Sequence, residues 1–106
     1  MSTPEKPSFG ALIQGSKPVL VDFSAEWCGP CNAMPPILKE LKEKMGDSIS
    51  ILKIDVDRNP AVAATYQVQS VPTLIVFRNG RVLWRQSGVM RADQLKYVLD
   101  GILQEA

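Results

Sequence analysis

The sequence predicts an α/β domain: a mixed central sheet with helices on both faces, three layers in all. Three observations predict it. Apolar runs of strand length alternate with segments whose apolar residues recur at helical spacing. The pair Asn79-Gly80 joins two further β-rich runs and adds an antiparallel strand. The 106 residues, 45% hydrophobic and 22% charged, have the size and composition of one ordinary domain, read as residues 1–106.

Met1 to Pro7 is polar, holds two prolines, and is expected to be disordered or loosely docked. Ser8 caps a short helix over Phe9 to Ile13 that stops near Gly15. Val19-Leu20-Val21-Asp22-Phe23, after Pro18, is a buried strand, and Ser24-Ala25-Glu26-Trp27 is a loop leading into Cys28-Gly29-Pro30-Cys31. From Pro30 the period changes. Met34, Ile37, Leu38, Leu41 and Met45 fall on one helical face, Lys39, Glu40, Lys42 and Glu43 on the other, and Gly46 is a stop. Pro36 cannot donate to the carbonyl of Asn32, so a bend is expected there.

Ile49 to Val56 reads as a second, largely buried strand. Asn59 is an N-cap and Pro60 a first helical residue, opening a helix through Tyr66. Ser70-Val71-Pro72-Thr73 leads into the strand Leu74 to Phe77, and Val82 to Gln86 returns from the Asn-Gly turn. Leu95, Val98, Leu99 and Ile102 stripe a terminal helix. Two β–α–β connections imply parallel pairing, and the hairpin adds an antiparallel partner.

Several function classes are excluded. A net charge of +1 supplies no global field for nucleic acid or an anionic membrane. Arg78, Arg81, Arg85 and Arg91 lie in a stretch without acids and read as a solvated strand edge sooner than an anion patch. No apolar run approaches the roughly 18 residues of a membrane span, and no export signal is legible, so the cytosol is the expected compartment. The chain has no histidine, which removes Ser–His and Cys–His nucleophile pairs. It has no Gly-rich dinucleotide or phosphate loop, so no bound cofactor is expected.

Cys28 and Cys31 are three apart where a strand-loop meets a helix. Structural zinc or an iron–sulfur cluster wants four ligands, and two thiols would require sharing between chains, so no metal is expected. Haem attachment needs a histidine where Asn32 stands. A purely structural disulfide over so short a loop would remove little unfolded-state entropy. Dithiol–disulfide exchange explains the placement better. Unpaired N–H groups and the dipole of a first helical turn favour a thiolate at Cys28, and the more shielded Cys31 can resolve a mixed disulfide.

Trp27-Cys28-Gly29-Pro30-Cys31, with Val21-Asp22-Phe23 before it and Val71-Pro72-Thr73 after it, resembles the thioredoxin family from about Ser8 to Leu103. The resemblance implies the thioredoxin fold, a three-layer α/β/α arrangement with a mixed central sheet of four to five strands. It implies a protein-disulfide reductase, with Cys28 as attacking thiol, Cys31 as resolving thiol, and a reversible disulfide between them. Gly29 and Pro30 match the intervening pair; without a histidine there, a reductant is expected, not an oxidant. Asp22 matches a buried acid that accepts the proton of Cys31, and Lys53 the lysine beside that acid. An ordinary strand-end carboxylate and a snorkelling lysine are the competing readings.

Pro72 matches a cis-proline opposite the disulfide, exposing the Val71 backbone to an extended substrate. Trp27, Gly29, Pro30, Val71, Gly88 and Val89 would then form a flat apolar docking surface, although Trp27 could instead pack in the core. The implied partners are thioredoxin reductase, which passes on electrons from NADPH, and protein disulfides; a monomer is expected. Three departures stand out. Asn32 replaces a common lysine, Ser24 a tryptophan, and the short N-terminal segment leaves the family's first strand missing or rudimentary.

Overall fold

Pro18 delivers the chain into Val19-Leu20-Val21-Asp22-Phe23-Ser24, and all six are buried as β1 (Val19–Ser24) of the computed structural model, which describes residues 8–105. Ser24, expected in the loop, extends this strand, and its carbonyl accepts from the Val56 N–H at 2.9 Å. The segment 1–7, expected to be loosely docked, lies outside the described residues.

Among the described residues, four strands make one mixed sheet in the order β2-β1-β3-β4. β2 (Ser50–Asp55) runs parallel to β1, while β3 (Thr73–Arg78) is antiparallel to β1 and to β4 (Arg81–Ser87). The expectation of parallel pairing from the second β–α–β connection is therefore wrong. Its helix, α3 (Pro60–Thr65), has six residues. That is about 9 Å of helix against about 20 Å of strand, too short to carry the chain back along the sheet. β3 accordingly starts at the end where β2 stops. β2 is also half-buried, not largely buried, because it forms an edge of the sheet.

Alternation along β1 divides the core. Leu20 faces Leu74 and Val76 together with Met34, Leu38 and Leu41 of α2 (Met34–Met45) and Leu95, Leu99 and Ile102 of α4 (Ala92–Gln104). Val19, Val21 and Phe23 face Ile75 and Phe77, covered by Phe9 of α1 (Phe9–Leu12), Ile13, Val62 and Tyr66. Phe9, Tyr66 and Phe77 meet edge to face with ring centroids 5.0–5.6 Å apart, each pair adding about 1 kcal/mol beyond its area.

The helix ends follow local chemistry. The Ser8 side chain caps α1 by accepting from the Ala11 N–H at 3.2 Å. A 3₁₀ turn, Pro30–Ala33, precedes α2, so Pro35 and Pro36 fall in the first α-helical turn, where their missing N–H groups would have no intrahelical partner. The change from 3₁₀ to α at Met34 comes just before Pro36, where the bend is expected. Asn59 makes no side-chain cap on α3; its amide donates instead to the Asp55 carbonyl at 3.0 Å. Asn79 (φ 54°) and Gly80 (φ 79°) have the positive dihedrals of a two-residue hairpin, and their N–H groups donate to the carbonyls of Gly15 and Ile13, each at 2.9 Å. Leu83 is an extra residue in β4, since Val76 pairs with Trp84 and Phe77 with Val82.

α3 closes in a Schellman motif: Val68 N–H donates to the Ala63 carbonyl at 2.9 Å and Gln67 N–H to that of Ala64 at 3.1 Å. Gln67 occupies the left-handed position (φ 53°) that glycine adopts without cost. Gln67→Gly is therefore expected to stabilise the fold by about 0.5–1 kcal/mol after the extra chain entropy of glycine is discounted. Urea titration, read as a higher midpoint at unchanged slope, checks it.

Candidate active site

The carboxyl end of β1 and the amino end of β3 lie side by side, since Phe23 pairs with Thr73. The chain leaves β1 through a turn closed by Cys28 N–H donating to the Ala25 carbonyl at 3.2 Å. It then enters the 3₁₀ turn and α2, which places Cys28 just before a helical segment and Cys31 inside it. The two are joined in a disulfide with Cα atoms 5.4 Å apart, and both are buried. The Cys31 N–H donates to Cys28 Sγ at 3.1 Å. A thiolate at Cys28 would keep this donor and lie at the positive end of the helical segment, and both effects lower a thiol's pKa.

Ala25, Cys28 and Cys31 form a small cluster of their own, packed against Val56 and Val71. Cys28 Sγ lies 3.7 Å from the Val71 carbonyl oxygen. The Val71–Pro72 peptide is cis. Pro72 is buried and Val71 half-exposed, so Val71 alone of the two presents surface beside the sulfur. Gly88 (φ 97°) donates its N–H to the Pro72 carbonyl at 2.8 Å, and Val89 after it is 44% exposed. Gly29 and Pro30 are exposed. The structure therefore brings Cys28, Val71, Pro72 and Gly88 together.

Trp27 is 72% exposed, which rules out the core-packing alternative. Its Nε1–H donates to Asp57 Oδ2 at 2.8 Å. Asp57 was not singled out from the sequence; it sits in a turn where Asp55 Oδ1 accepts from the N–H groups of Asp57 (2.9 Å) and Arg58 (3.1 Å). An aspartate two residues before another, just past a strand, is the one signal that could have marked this turn. The Arg58–Glu26 ion pair beside it, 2.9 Å long, is exposed on both sides and adds little stability.

Asp22 is completely buried, and neither carboxylate oxygen has a hydrogen-bond partner among the described residues. It lies on the α2 face of β1, next in register to Lys53 of β2. Burial pushes its pKa up from 3.8 to about 6, against the opposing attraction of the Lys53 charge. Lys53 itself is exposed, and no hydrogen bond closes between the two. A polar cleft of about 230 Å³ is lined by Ser24, Ala25, Glu26, Cys31, Asn32, Lys53 and Asp55, so Cys31 and Lys53 share one recess. Among the described residues no three potential metal-ligating side chains gather, and no helix is long and apolar enough to cross a membrane.

The thioredoxin family model matches residues 2–101. The chain is 46% identical over 100 residues to a chloroplastic thioredoxin Y of Oryza sativa subsp. japonica, covering 93% of this chain and 60% of that protein. It is 48% identical over 89 residues to a thioredoxin-like protein of Synechocystis sp., covering 83% of this chain and 85% of the other. A thioredoxin of Alicyclobacillus acidocaldarius is 43% identical over 97 residues, 92% of either chain. A buried cysteine pair at a helix start and a matching family model agree: the chain belongs to the thioredoxin family, and Cys28–Cys31 is the redox-active pair of a thioredoxin disulfide reductase.

Proposed function

We propose that the chain is a general protein-disulfide reductase in which Cys28 attacks and Cys31 resolves. The reduced Cys28 thiolate attacks one sulfur of a substrate disulfide; the other substrate sulfur leaves as a thiolate and takes a proton. Asp22, ionised above about pH 6, accepts the proton of the Cys31 thiol. Cys31 Sγ then displaces the remaining substrate sulfur from Cys28, leaving the chain oxidised and the substrate reduced by two electrons. Lys53 holds positive charge beside the carboxylate and opposes part of the effect of its burial. The observation that carries this reading is the Cys31 N–H aimed at Cys28 Sγ at the start of a helical segment.

Substrate segments dock in extended form on Val71, flanked by Trp27, Gly29, Pro30, Gly88 and Val89; Pro72 supports the docking strand from beneath. Asn32 supplies no cation where the resemblance expects a lysine, so backbone donors and the helical dipole stabilise the thiolate. No cofactor is bound; electrons come from NADPH through a thioredoxin reductase, and the chain works as a monomer. A reductant of this kind needs a reducing compartment. The cytosol is the first assignment, and a plastid the alternative, since matched relatives are named chloroplastic.

The test is NADPH oxidation by this protein, a thioredoxin reductase and insulin as the disulfide substrate. The expected trace is steady consumption that requires all three. A flat trace, with the reductase active on another thioredoxin, would reject the NADPH route and assign a different electron donor.

A further inference from the structure

β4 ends beside the loop that carries Val71, and its last residues hold that loop. The Arg85 guanidinium donates to the Tyr66 carbonyl and, at 2.8 Å, to the Gln67 carbonyl. Ser70 Oγ–H donates to Ser87 Oγ at 3.3 Å. Thr73 Oγ1–H is committed to the Ser70 carbonyl at 2.6 Å, so Ser87 donates to Thr73 Oγ1 at 3.2 Å and the hydroxyls close a ring. Gly88 N–H then fixes the Pro72 carbonyl.

The hydroxyl ring and Gly88 grip the loop only from Ser70 onward. Before it, Tyr66 and Val68 pack half-buried against the cluster of Phe23 and Phe77 and the Schellman bonds hold the Gln67 and Val68 N–H groups, while Gln67 and Gln69 are exposed. Arg85 ties the carbonyl side of this arm to β4. Its planar fork spans two successive carbonyls at the end of α3, one of them belonging to the left-handed Gln67.

We infer that Arg85 is a positioning residue for substrate docking: by pinning residues 66–67 it fixes the path of the loop and so the backbone of Val71 beside Cys28 Sγ. The inference rests on the docking role given to Val71 above. A loop ordered beforehand loses less conformational freedom when a substrate strand pairs with it, so Arg85 acts on binding and not on exchange at the sulfur.

Two measurements test it. For Arg85→Ala, the KM for insulin is expected to rise about tenfold with kcat within about twofold, while the rate with a small aromatic disulfide, which does not pair with backbone, stays that of the parent. Arg85→Lys keeps the charge without the fork and is expected to rescue less than half of the KM effect on a logarithmic scale. Equal losses with insulin and with the small disulfide would overturn the role. The second measurement uses Cys31→Ser joined through Cys28 to an insulin B-chain peptide, following hydrogen exchange at the Val71 amide. Protection is expected in this complex and is expected to fall at least about tenfold when Arg85→Ala is added. Equal protection with and without Arg85 overturns the positioning role alone. An unprotected Val71 even with Arg85 present overturns the docking reading itself, and the inference with it.

Discussion

Cys28→Ser abolishes disulfide reduction, with a loss of at least about a thousandfold in turnover, because a serine hydroxyl at neutral pH is neither ionised nor able to exchange with a disulfide. Cys31→Ser loses turnover just as completely, yet it fails at a different step. Cys28 still attacks, the resolving thiol is gone, and a mixed disulfide accumulates to one equivalent of bound substrate chain. Intact mass measured after mixing with excess oxidised substrate separates the two: an adduct on Cys31→Ser, none on Cys28→Ser. The assignment follows from the asymmetry of the pair, since Cys28 faces the Val71 carbonyl and receives the Cys31 N–H, while Cys31 lies inside the helical turn beside the polar cleft. An adduct on Cys28→Ser and none on Cys31→Ser would reverse the roles.

Asp22→Asn is expected to stabilise the oxidised protein by about 3 kcal/mol above pH 7, from a pKa of about 6 in the fold against 3.8 unfolded. The sign follows from the proton count. Between about pH 4 and pH 6 the native state binds more protons than the unfolded chain, so stability falls as pH rises through this window. Below it both states are protonated and the penalty is absent; above it the penalty is complete. The amide is a neutral stand-in for the protonated acid, so the variant loses this pH dependence and matches the parent at low pH. Denaturant titrations of both proteins from pH 3.5 to 8 check this, and parallel curves across that range would show that Asp22 is not the strained charge its burial indicates. On the proposed role in catalysis, the same substitution slows release of the mixed disulfide on the order of a hundredfold at pH 7. The deficit should shrink as pH rises further, because hydroxide takes the Cys31 proton in place of the missing carboxylate.

Much of this was legible in the sequence because it rests on local chemistry. The Asn79-Gly80 turn, the Ser8 cap and the apolar run of β1 each follow from a few adjacent residues. Asp22 stood out as an acid within that run, and the family resemblance, not periodicity, attached a role to it. The direction of β3 was misread because pattern reveals that a helix intervenes but not whether it is long enough to return the chain. β2 was expected to be largely buried because an apolar run looks alike at the centre and the edge of a sheet. Asp57 and Ser87 escaped notice, and Arg85 read only as part of a solvated strand edge, for a further reason. They bind an exposed indole, two carbonyls and a ring of hydroxyls in other loops, and contacts between distant loops leave no period in the chain.

The division of the apolar interior has a consequence for how such a protein changes over generations. Two large clusters fill the two faces of the sheet, whereas the cysteines share a third, small one with Ala25, Val56 and Val71. Gly29, Pro30 and Asn32 between and beside the sulfurs are exposed and belong to neither large cluster. Variation at these positions can shift the balance between oxidised and reduced forms while the packing that sustains the fold goes untouched. The scaffold and its electrochemistry are thus open to separate selection, and one framework can be re-tuned to substrates of different potential without being rebuilt.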